Sequence, residues 1–342
     1  MLQWVLLRDN KLAFPSKGCV IAGLDPGILH KKAWFLPRFF YKLHMKKRFV
    51  FIVFIICCLF CSCTKRQAGR DGLQQLDVTQ IKDNRYSAAF GGVVHEFIIE
   101  LPQTVENAPL VLLLPGYNNT AESMREEIAF EKQACPKGYA VVYVNGSIQK
   151  GDLGKGFAWN SGIYPNGNDD VTFLVMLAEY LQKEYKLNKD LVFAAGFSNG
   201  GFMTHRLAMQ GQTSFKACVS VAGKMPKVIW RDKNKKNRVG FFQITGLKDD
   251  VVPKNSDGSA RHASDPAIED VMDYWAASNK FTLVTKEEVG EGSELTKWTS
   301  AGKFKKGQVW HLCVKEGLHS WPDMQNYGID TNTLILDFFD SF

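Results

Sequence analysis

Short runs of residues that are apolar at nearly every position are the strongest constraint on the fold of this chain. The clearest are LVLLL at 110–114, LVFAA at 191–195 and VGFFQIT at 239–245. A strand with one solvated face would alternate apolar and polar residues, so both faces of these strands are predicted to be covered. The pattern indicates a largely parallel sheet with helices on both faces, which is an α/β architecture.

Segments with helical spacing separate these runs. Residues 169–187 carry apolar side chains on one face and begin with aspartates suited to capping a helix. Further helices are predicted at 201–209, 266–277 and 332–339, and further strands at 93–101, 139–146, 217–222 and 309–314. No sequence repeat of 20–50 residues occurs. We therefore predict a single α/β domain over residues 88–342.

The first 62 residues have a different character. Met45 is followed by basic residues at 46–48 and by an apolar run at 49–60, which is shorter than the roughly 18–20 residues of a membrane-spanning helix. The run ends in Phe-Cys-Ser-Cys, which resembles the lipobox of bacterial lipoproteins and implies cleavage before Cys63 and lipidation of its thiol. We predict a non-native extension at 1–44, a signal peptide at 45–62, a polar tether at 63–87 and a lipid anchor in the membrane of a bacterial cell envelope. An uncleaved anchor is the alternative.

The net charge of +7 belongs to this leader. Ten of the 42 Lys and Arg residues, but only two of the 35 Asp and Glu residues, lie within residues 1–62. The rest of the chain is close to neutral, so nucleic acid is excluded as a predicted partner.

Cysteine usage predicts no disulfide framework. Five of the eight cysteines lie at or before Cys63, which leaves Cys135, Cys218 and Cys313 in the predicted domain. An odd number of widely spaced cysteines favours buried free thiols, although a pair among the three remains open. No cofactor and no metal site are predicted.

The stretch GFSNG at 196–200 is the first candidate for chemistry. It connects the buried run at 191–195 to a predicted helix. In a G-x-S-x-G turn the chain is so tight that Cβ atoms at the glycine positions would meet neighbouring backbone. The motif alone is weak, since roughly one chain in eight of this composition would contain it by chance. Ser198 is therefore either a nucleophile or an ordinary turn serine until the other loops are considered.

A serine nucleophile needs a base, an acid and donors for the oxyanion. Five histidines follow the leader, and His319 alone lies in a loop beyond a predicted strand end; the others are His95, His205, His262 and His311. Asp249 and Asp250 both follow the run at 239–245. The backbone N–H groups of Asn199 and Tyr117 are the predicted oxyanion donors. The chain order Ser, Asp, His is that of the α/β-hydrolases.

The chain from about residue 110 to 339 resembles a family of secreted esterases that includes polyhydroxybutyrate depolymerases and the feruloyl and acetylxylan esterases of carbohydrate esterase family 1. The stretches that carry the resemblance are LVLLLPGYNNTAESM, FAWNSG, NDDVTFLVMLAEYLQKEY, LVFAAGFSNGGFMTHRLA, ITGLKDDVVP and GLHSWPD. The resemblance implies an α/β-hydrolase fold and a serine ester hydrolase. It selects Asp249, four positions before Pro253, as the acid, and His319, which precedes Ser-Trp-Pro, as the base.

The substrate is less constrained than the reaction. Feruloyl or acetyl esters on plant polysaccharide are the predicted substrates, and Trp159 and Trp321 are predicted to border the pocket beside Tyr117. Both tryptophans could instead brace the loops by packing. The alternatives are a polyester depolymerase, a serine peptidase of the same fold and a non-catalytic carbohydrate-binding relative. The family's cysteine before Trp-Asn is Ala158 here, so the family's disulfide is absent.

Overall fold

The computed structural model describes residues 75–149, 156–211, 214–233, 238–254, 265–300 and 307–342. The predicted extension, the signal peptide and Cys63 lie outside these residues. Within them, no helix is both long enough and apolar enough to cross a membrane.

Eleven strands of the described residues form one sheet in the order β1-β2-β3-β5-β4-β8-β9-β10-β13-β12-β11, and two short strands, β6 and β7, pair separately. The strands are β1 (Asp77–Lys82), β2 (Arg85–Phe90), β3 (Val93–Glu100), β4 (Leu110–Leu114), β5 (Ala140–Val144), β6 (Ser147–Ile148), β7 (Phe157–Ala158), β8 (Val192–Phe197), β9 (Ala217–Val221), β10 (Gly240–Gly246), β11 (Leu283–Val289), β12 (Ser293–Thr299) and β13 (Val309–Val314).

Six neighbouring strands in the middle of the sheet are parallel; in sheet order they are β5, β4, β8, β9, β10 and β13. The strands outside them pair antiparallel. The helices of the described residues are α1 (Ala121–Ile128), α2 (Glu131–Ala134), α3 (Asp170–Glu184), α4 (Asn199–Gln210), α5 (Lys227–Arg231), α6 (Ile268–Asn279), α7 (Met324–Tyr327) and α8 (Thr331–Phe339). The predicted helix at 169–187 is confirmed as α3, with the Asp169 side chain accepting from the Thr172 N–H at its start.

Strand β4 shows why its sequence is apolar throughout. Leu110, Leu112 and Leu114 pack with α3, α4 and α6 on one face of the sheet, whereas Val111 and Leu113 pack with α1 and α8 on the other. All five side chains are fully buried, and each such burial stabilises the fold by about 2 kcal/mol. The predicted coverage of both faces is confirmed.

The predicted tether at 63–87 is wrong in its last part. β1 and β2 form an antiparallel hairpin that extends the sheet beyond β3, so the folded domain begins before residue 88. The edge strands β11 and β12 at the other side of the sheet were also not predicted. Most side chains of β1 and β11 are exposed and polar, as is common at sheet edges, and such strands carry no apolar run.

Candidate active site

The stretch 196–200 forms a strained turn between β8 and α4. Ser198 has φ 50° and ψ −116°, a region that residues other than glycine rarely occupy. A Cβ on Gly196 would lie 2.3 Å from the Gly200 backbone, and a Cβ on Gly200 would lie 2.0 Å from the Leu114 carbonyl oxygen. The turn therefore requires both glycines, and it lifts the Ser198 side chain above the edge of the sheet.

Three strand-end loops bring Ser198, His319 and Asp249 together. The register of the parallel strands pairs Gly246 at the end of β10 with Val314 at the end of β13, so the loops after these strands leave the same edge. The Ser198 hydroxyl lies 2.9 Å from His319 Nε2, and His319 Nδ1 lies 2.8 Å from Asp249 Oδ2. The serine is thus connected to a carboxylate through the imidazole.

Asp249 is held rigidly in this position. Its side chain is 1% exposed, and its Oδ1 accepts hydrogen bonds from the backbone N–H groups of Val251 (2.9 Å) and Val252 (2.7 Å). The neighbouring Asp250 is exposed. The carboxylate that contacts the imidazole is therefore the one that the family motif selects, and Asp250 faces solvent.

The other histidines of the described residues lie away from Ser198. His95 hydrogen-bonds to the Asn145 carbonyl, His205 to the Gln243 side chain and His311 approaches Thr245. All three are buried, and burial lowers the pKa of each ring. His262 lies outside the described residues. Buried neutral rings of this kind have structural roles, which leaves His319 as the base.

The two backbone segments that carry the predicted oxyanion donors lie beside Ser198. Asn199 is the first residue of α4, so its N–H points out of the positive end of a helix. Gly116, which precedes Tyr117 in the loop after β4, lies so close that an added Cβ would be 3.3 Å from the Ser198 Cβ. Both predicted oxyanion donors are thus carried by backbone adjacent to the serine.

Comparison with solved structures agrees with this fold. An acetyl xylan esterase from Aspergillus awamori superposes with a TM-score of 0.53, covering 78% of this chain and all of that chain, at 12% sequence identity. The likeness concerns the fold. This chain has the α/β-hydrolase fold. The sequence model of the prolyl oligopeptidase family matches residues 127–231, which include the Ser198 turn but neither Asp249 nor His319.

Sequence comparison finds esterases. A putative esterase from Nocardia uniformis subsp. tsuyamanensis is 30% identical over 36% of this chain and 36% of its own length. A bifunctional acetylxylan esterase/xylanase from Neocallimastix patriciarum is 27% identical over 43% of this chain, and a probable feruloyl esterase C from Aspergillus clavatus is 25% identical over 50%. The predicted resemblance is confirmed, and the chain spans 20% to 62% of the length of these relatives.

Trp159 packs behind the Ser198 turn and supports it. It is 1% exposed, its backbone N–H donates to Asn199 Oδ1 (2.6 Å), and its Nε1 donates to the Pro115 carbonyl (3.2 Å). It therefore links the two segments that carry the predicted oxyanion donors. Trp321 is buried as well and donates to Asn332 Oδ1. Neither side chain lines the cavity beside Ser198, so the placement favours the packing interpretation over substrate contact.

A cavity of about 220 Å³ opens beside Ser198 in the hydrolase fold. Its wall is mostly apolar and comprises Tyr117, Ile163, Ser198, Asn199, Phe202, Val251 and Val252. Apart from Ser198 and Asn199, only Tyr117 was predicted to border it. The other four are ordinary apolar residues on loops and on α4, and nothing in their sequence context distinguishes them from core positions. Such a wall suits an acyl group better than a charged substrate.

Proposed function

We propose that this protein is a serine carboxylic-ester hydrolase. The observation that carries the proposal is the continuous hydrogen-bonded chain from Ser198 through His319 to Asp249. Backbone N–H groups hold the Asp249 carboxylate in place, and two further N–H donors beside Ser198 accompany this hydrogen-bonded chain. This combination supplies nucleophile, base, orienting acid and oxyanion stabilisation in one place.

The geometry supports an acyl-enzyme mechanism. As Ser198 Oγ attacks the ester carbonyl, His319 Nε2 accepts the hydroxyl proton, and Asp249 stabilises the imidazolium through Nδ1–H. The N–H groups of Asn199 and Tyr117 donate to the tetrahedral oxyanion. His319 then returns the proton to the departing alcohol, which leaves the acyl group on Ser198. A water, deprotonated by His319, attacks this ester and releases the acid and the free serine.

Esters of plant polysaccharide are the proposed substrates, with feruloyl or acetyl as the acyl group. The names of the relatives support this class: two are described as acetylxylan or feruloyl esterases. The apolar wall of Tyr117, Ile163 and Val251 would contact the acyl group. No separate acyl-binding lid is required for an acetyl group, whereas a feruloyl ring would fill much of the cavity.

A second candidate, a polyester depolymerase, is favoured by exposed apolar side chains near the cavity. We call this set the apolar rim; it comprises Tyr117, Ile148, Phe157, Ile163, Val251 and Leu318. Ile148 and Phe157 are paired across β6 and β7, and the Phe157 carbonyl accepts from the Asn118 N–H beside Tyr117. Leu318 directly precedes His319. An apolar surface around a hydrolytic site would adsorb a water-insoluble polymer.

Parallel assays separate these candidates. The purified protein is given p-nitrophenyl acetate, methyl ferulate, acetylated xylan, a hydroxybutyrate oligomer and a peptide amide. We expect hydrolysis of the acetate ester and of methyl ferulate or acetylated xylan, with kcat/KM at least about 10-fold above that for the hydroxybutyrate oligomer, a difference of 1.4 kcal/mol in transition-state binding. The reverse ranking would establish the polyester assignment, and hydrolysis of the amide alone would establish a peptidase.

We further propose that the protein is a lipoprotein of the cell envelope, anchored through Cys63. The proposal rests on the basic and apolar stretches at 46–60 and on the cysteine that follows them. Mass spectrometry of protein from the membrane fraction of a bacterial host is expected to find a diacylglycerol-modified Cys63 at the mature N-terminus. An unmodified Cys63 preceded by an intact 45–62 peptide would contradict the anchor without affecting the esterase proposal.

A further inference from the structure

A second cavity, of about 190 Å³, lies between the start of β3 and the N-terminal end of α3. It shares no lining residue with the cavity beside Ser198. Three of its polar lining residues are buried: His95 is 2% exposed, Asn168 6% and Asp170 0%. Buried polar side chains are normally paired, so the partners of each atom in this cavity determine what the cavity can bind.

His95 presents an unprotonated nitrogen. Its Nδ1 lies 3.0 Å from the Asn145 carbonyl oxygen, and since a carbonyl only accepts, Nδ1 carries the proton. The ring stacks on Phe173 at 3.8 Å, which fixes its plane. With the proton on Nδ1, Nε2 of the neutral ring has a free lone pair. An imidazole whose Nδ1–H is bound to a carbonyl is the usual form of a histidine metal ligand.

Asp170 presents an unpaired carboxylate oxygen to the same place. Its Oδ2 accepts from the Asn160 backbone N–H (2.6 Å) and from Gln149 Nε2 (2.8 Å). Its Oδ1 is buried and receives no hydrogen bond from the described residues, and it lies 3.9 Å from His95 Nε2.

Asn168 adds a third acceptor. Its Nδ2 donates to Ser147 Oγ (2.8 Å) and to the Ile148 carbonyl (3.1 Å), which fixes the orientation of the amide. Asn168 Oδ1 is therefore the remaining atom, and it too is buried without a hydrogen bond from the described residues. Asn168 thus adds to the lining of this cavity a second buried oxygen without a hydrogen bond, and such an oxygen is destabilising unless a donor or a positive charge compensates it.

We propose that His95 Nε2, Asp170 Oδ1 and Asn168 Oδ1 bind a divalent transition-metal cation of the Zn²⁺ type, with water in its remaining positions. Zinc binds imidazole nitrogen and carboxylate oxygen at about 2.0–2.2 Å. Two such bonds together exceed the 3.9 Å between His95 Nε2 and Asp170 Oδ1, so one ion can contact both atoms. The described residues contain no group of three His, Cys, Asp or Glu side chains suited to a metal; this site uses two of them and an amide oxygen.

The cation would stabilise the segments that support the esterase site. Asp170 accepts a hydrogen bond from the backbone N–H of Asn160. The preceding residue, Trp159, donates its own backbone N–H to Asn199 Oδ1. A bound ion therefore joins β3, the start of α3 and the segment carrying Trp159. Because the ion binds the folded state, it raises the melting temperature with its concentration. This role is structural and does not depend on which ester the protein cleaves.

Cobalt and zinc titrations of the EDTA-treated, full-length protein test the proposal. We expect one equivalent of Co²⁺ to bind with the visible bands of nitrogen and oxygen ligands and without a thiolate charge-transfer band, and Zn²⁺ to compete for it and to raise the melting temperature. His95→Gln is expected to weaken Co²⁺ binding by at least about 10-fold. His205→Gln is the matched control, since His205 is equally buried, stacked on Phe241 and bonded to Gln243.

Several results would overturn the site. They are the absence of stoichiometric binding to the wild-type protein, equal weakening by both histidine substitutions, or a thiolate charge-transfer band, which would mean that cysteines hold the ion. X-ray absorption on the wild-type protein with bound zinc needs no variant, so it decides the question even if His95→Gln fails to fold. One imidazole and oxygen ligands support the site, whereas sulfur ligands contradict it.

Discussion

Replacing Ser198 with alanine is expected to lower kcat/KM for ester hydrolysis by about 10⁴-fold or more. The substitution removes the proposed nucleophile, whereas the proposed oxyanion donors of Asn199 and Tyr117 and the cavity wall stay in place. The free energy of unfolding should change by less than about 1 kcal/mol, because among the described residues Oγ hydrogen-bonds to His319 alone. Initial rates on p-nitrophenyl acetate, together with thermal melts, measure both quantities.

A control separates loss of the nucleophile from loss of the fold. Ser320, which follows His319 and hydrogen-bonds to the Tyr327 hydroxyl, is a serine of a neighbouring loop that has no role in the mechanism. Ser320→Ala should retain rates within a few-fold of the wild type. If Ser198→Ala hydrolyses the acetate ester at the wild-type rate, another residue is the nucleophile and the proposed mechanism is wrong.

The second large effect is expected from the acid. Asp249→Asn keeps the shape of the side chain, and its amide oxygen can still accept from Val251 and Val252. Its NH₂ group then faces His319 Nδ1 and favours the tautomer with the proton on Nε2, which cannot take the Ser198 proton. We expect kcat to fall by about 10⁴-fold with little change in KM.

Asp250 provides a matched control for this substitution. It is adjacent in sequence, but its side chain is exposed, so Asp250→Asn should leave kcat within about 2-fold of the wild type, as for most exposed positions. Steady-state kinetics of the two variants on the same ester give the comparison. Equal losses in both variants would mean that His319 does not depend on Asp249 in particular.

The sequence was most informative about the centre of the sheet. Runs such as LVLLL are apolar because α3 and α4 cover one face of β4 and α1 covers the other, so burial itself produces the pattern. The four site loops follow such strands, and this is why Ser198 and His319 could be located from order and spacing. The choice of Asp249 over Asp250 needed the family motif, because adjacent carboxylates look alike until a fold buries one of them.

The sheet edges and the pocket wall could not be predicted in the same way. β1 and β11 are exposed, and their polar residues carry no apolar periodicity. Aromatic residues commonly line such sites, and this is the basis for predicting Trp159 at the pocket border. In the structure its side chain is buried in the core, where Trp159 hydrogen-bonds to Asn199 and Pro115. The wall residues Ile163 and Val251 meet at the cavity through long-range packing, which local sequence does not encode.

Covalent labelling of the active serine tests the central claim most directly. The wild-type protein, Ser198→Ala and His319→Ala are treated with a fluorophosphonate that reacts with activated serines, and the modified peptide is mapped by mass spectrometry. The proposed mechanism predicts one adduct in the wild-type protein, located on Ser198, with strongly slowed labelling in His319→Ala and none in Ser198→Ala. An adduct on a different residue, or equal labelling of all three proteins, would contradict it.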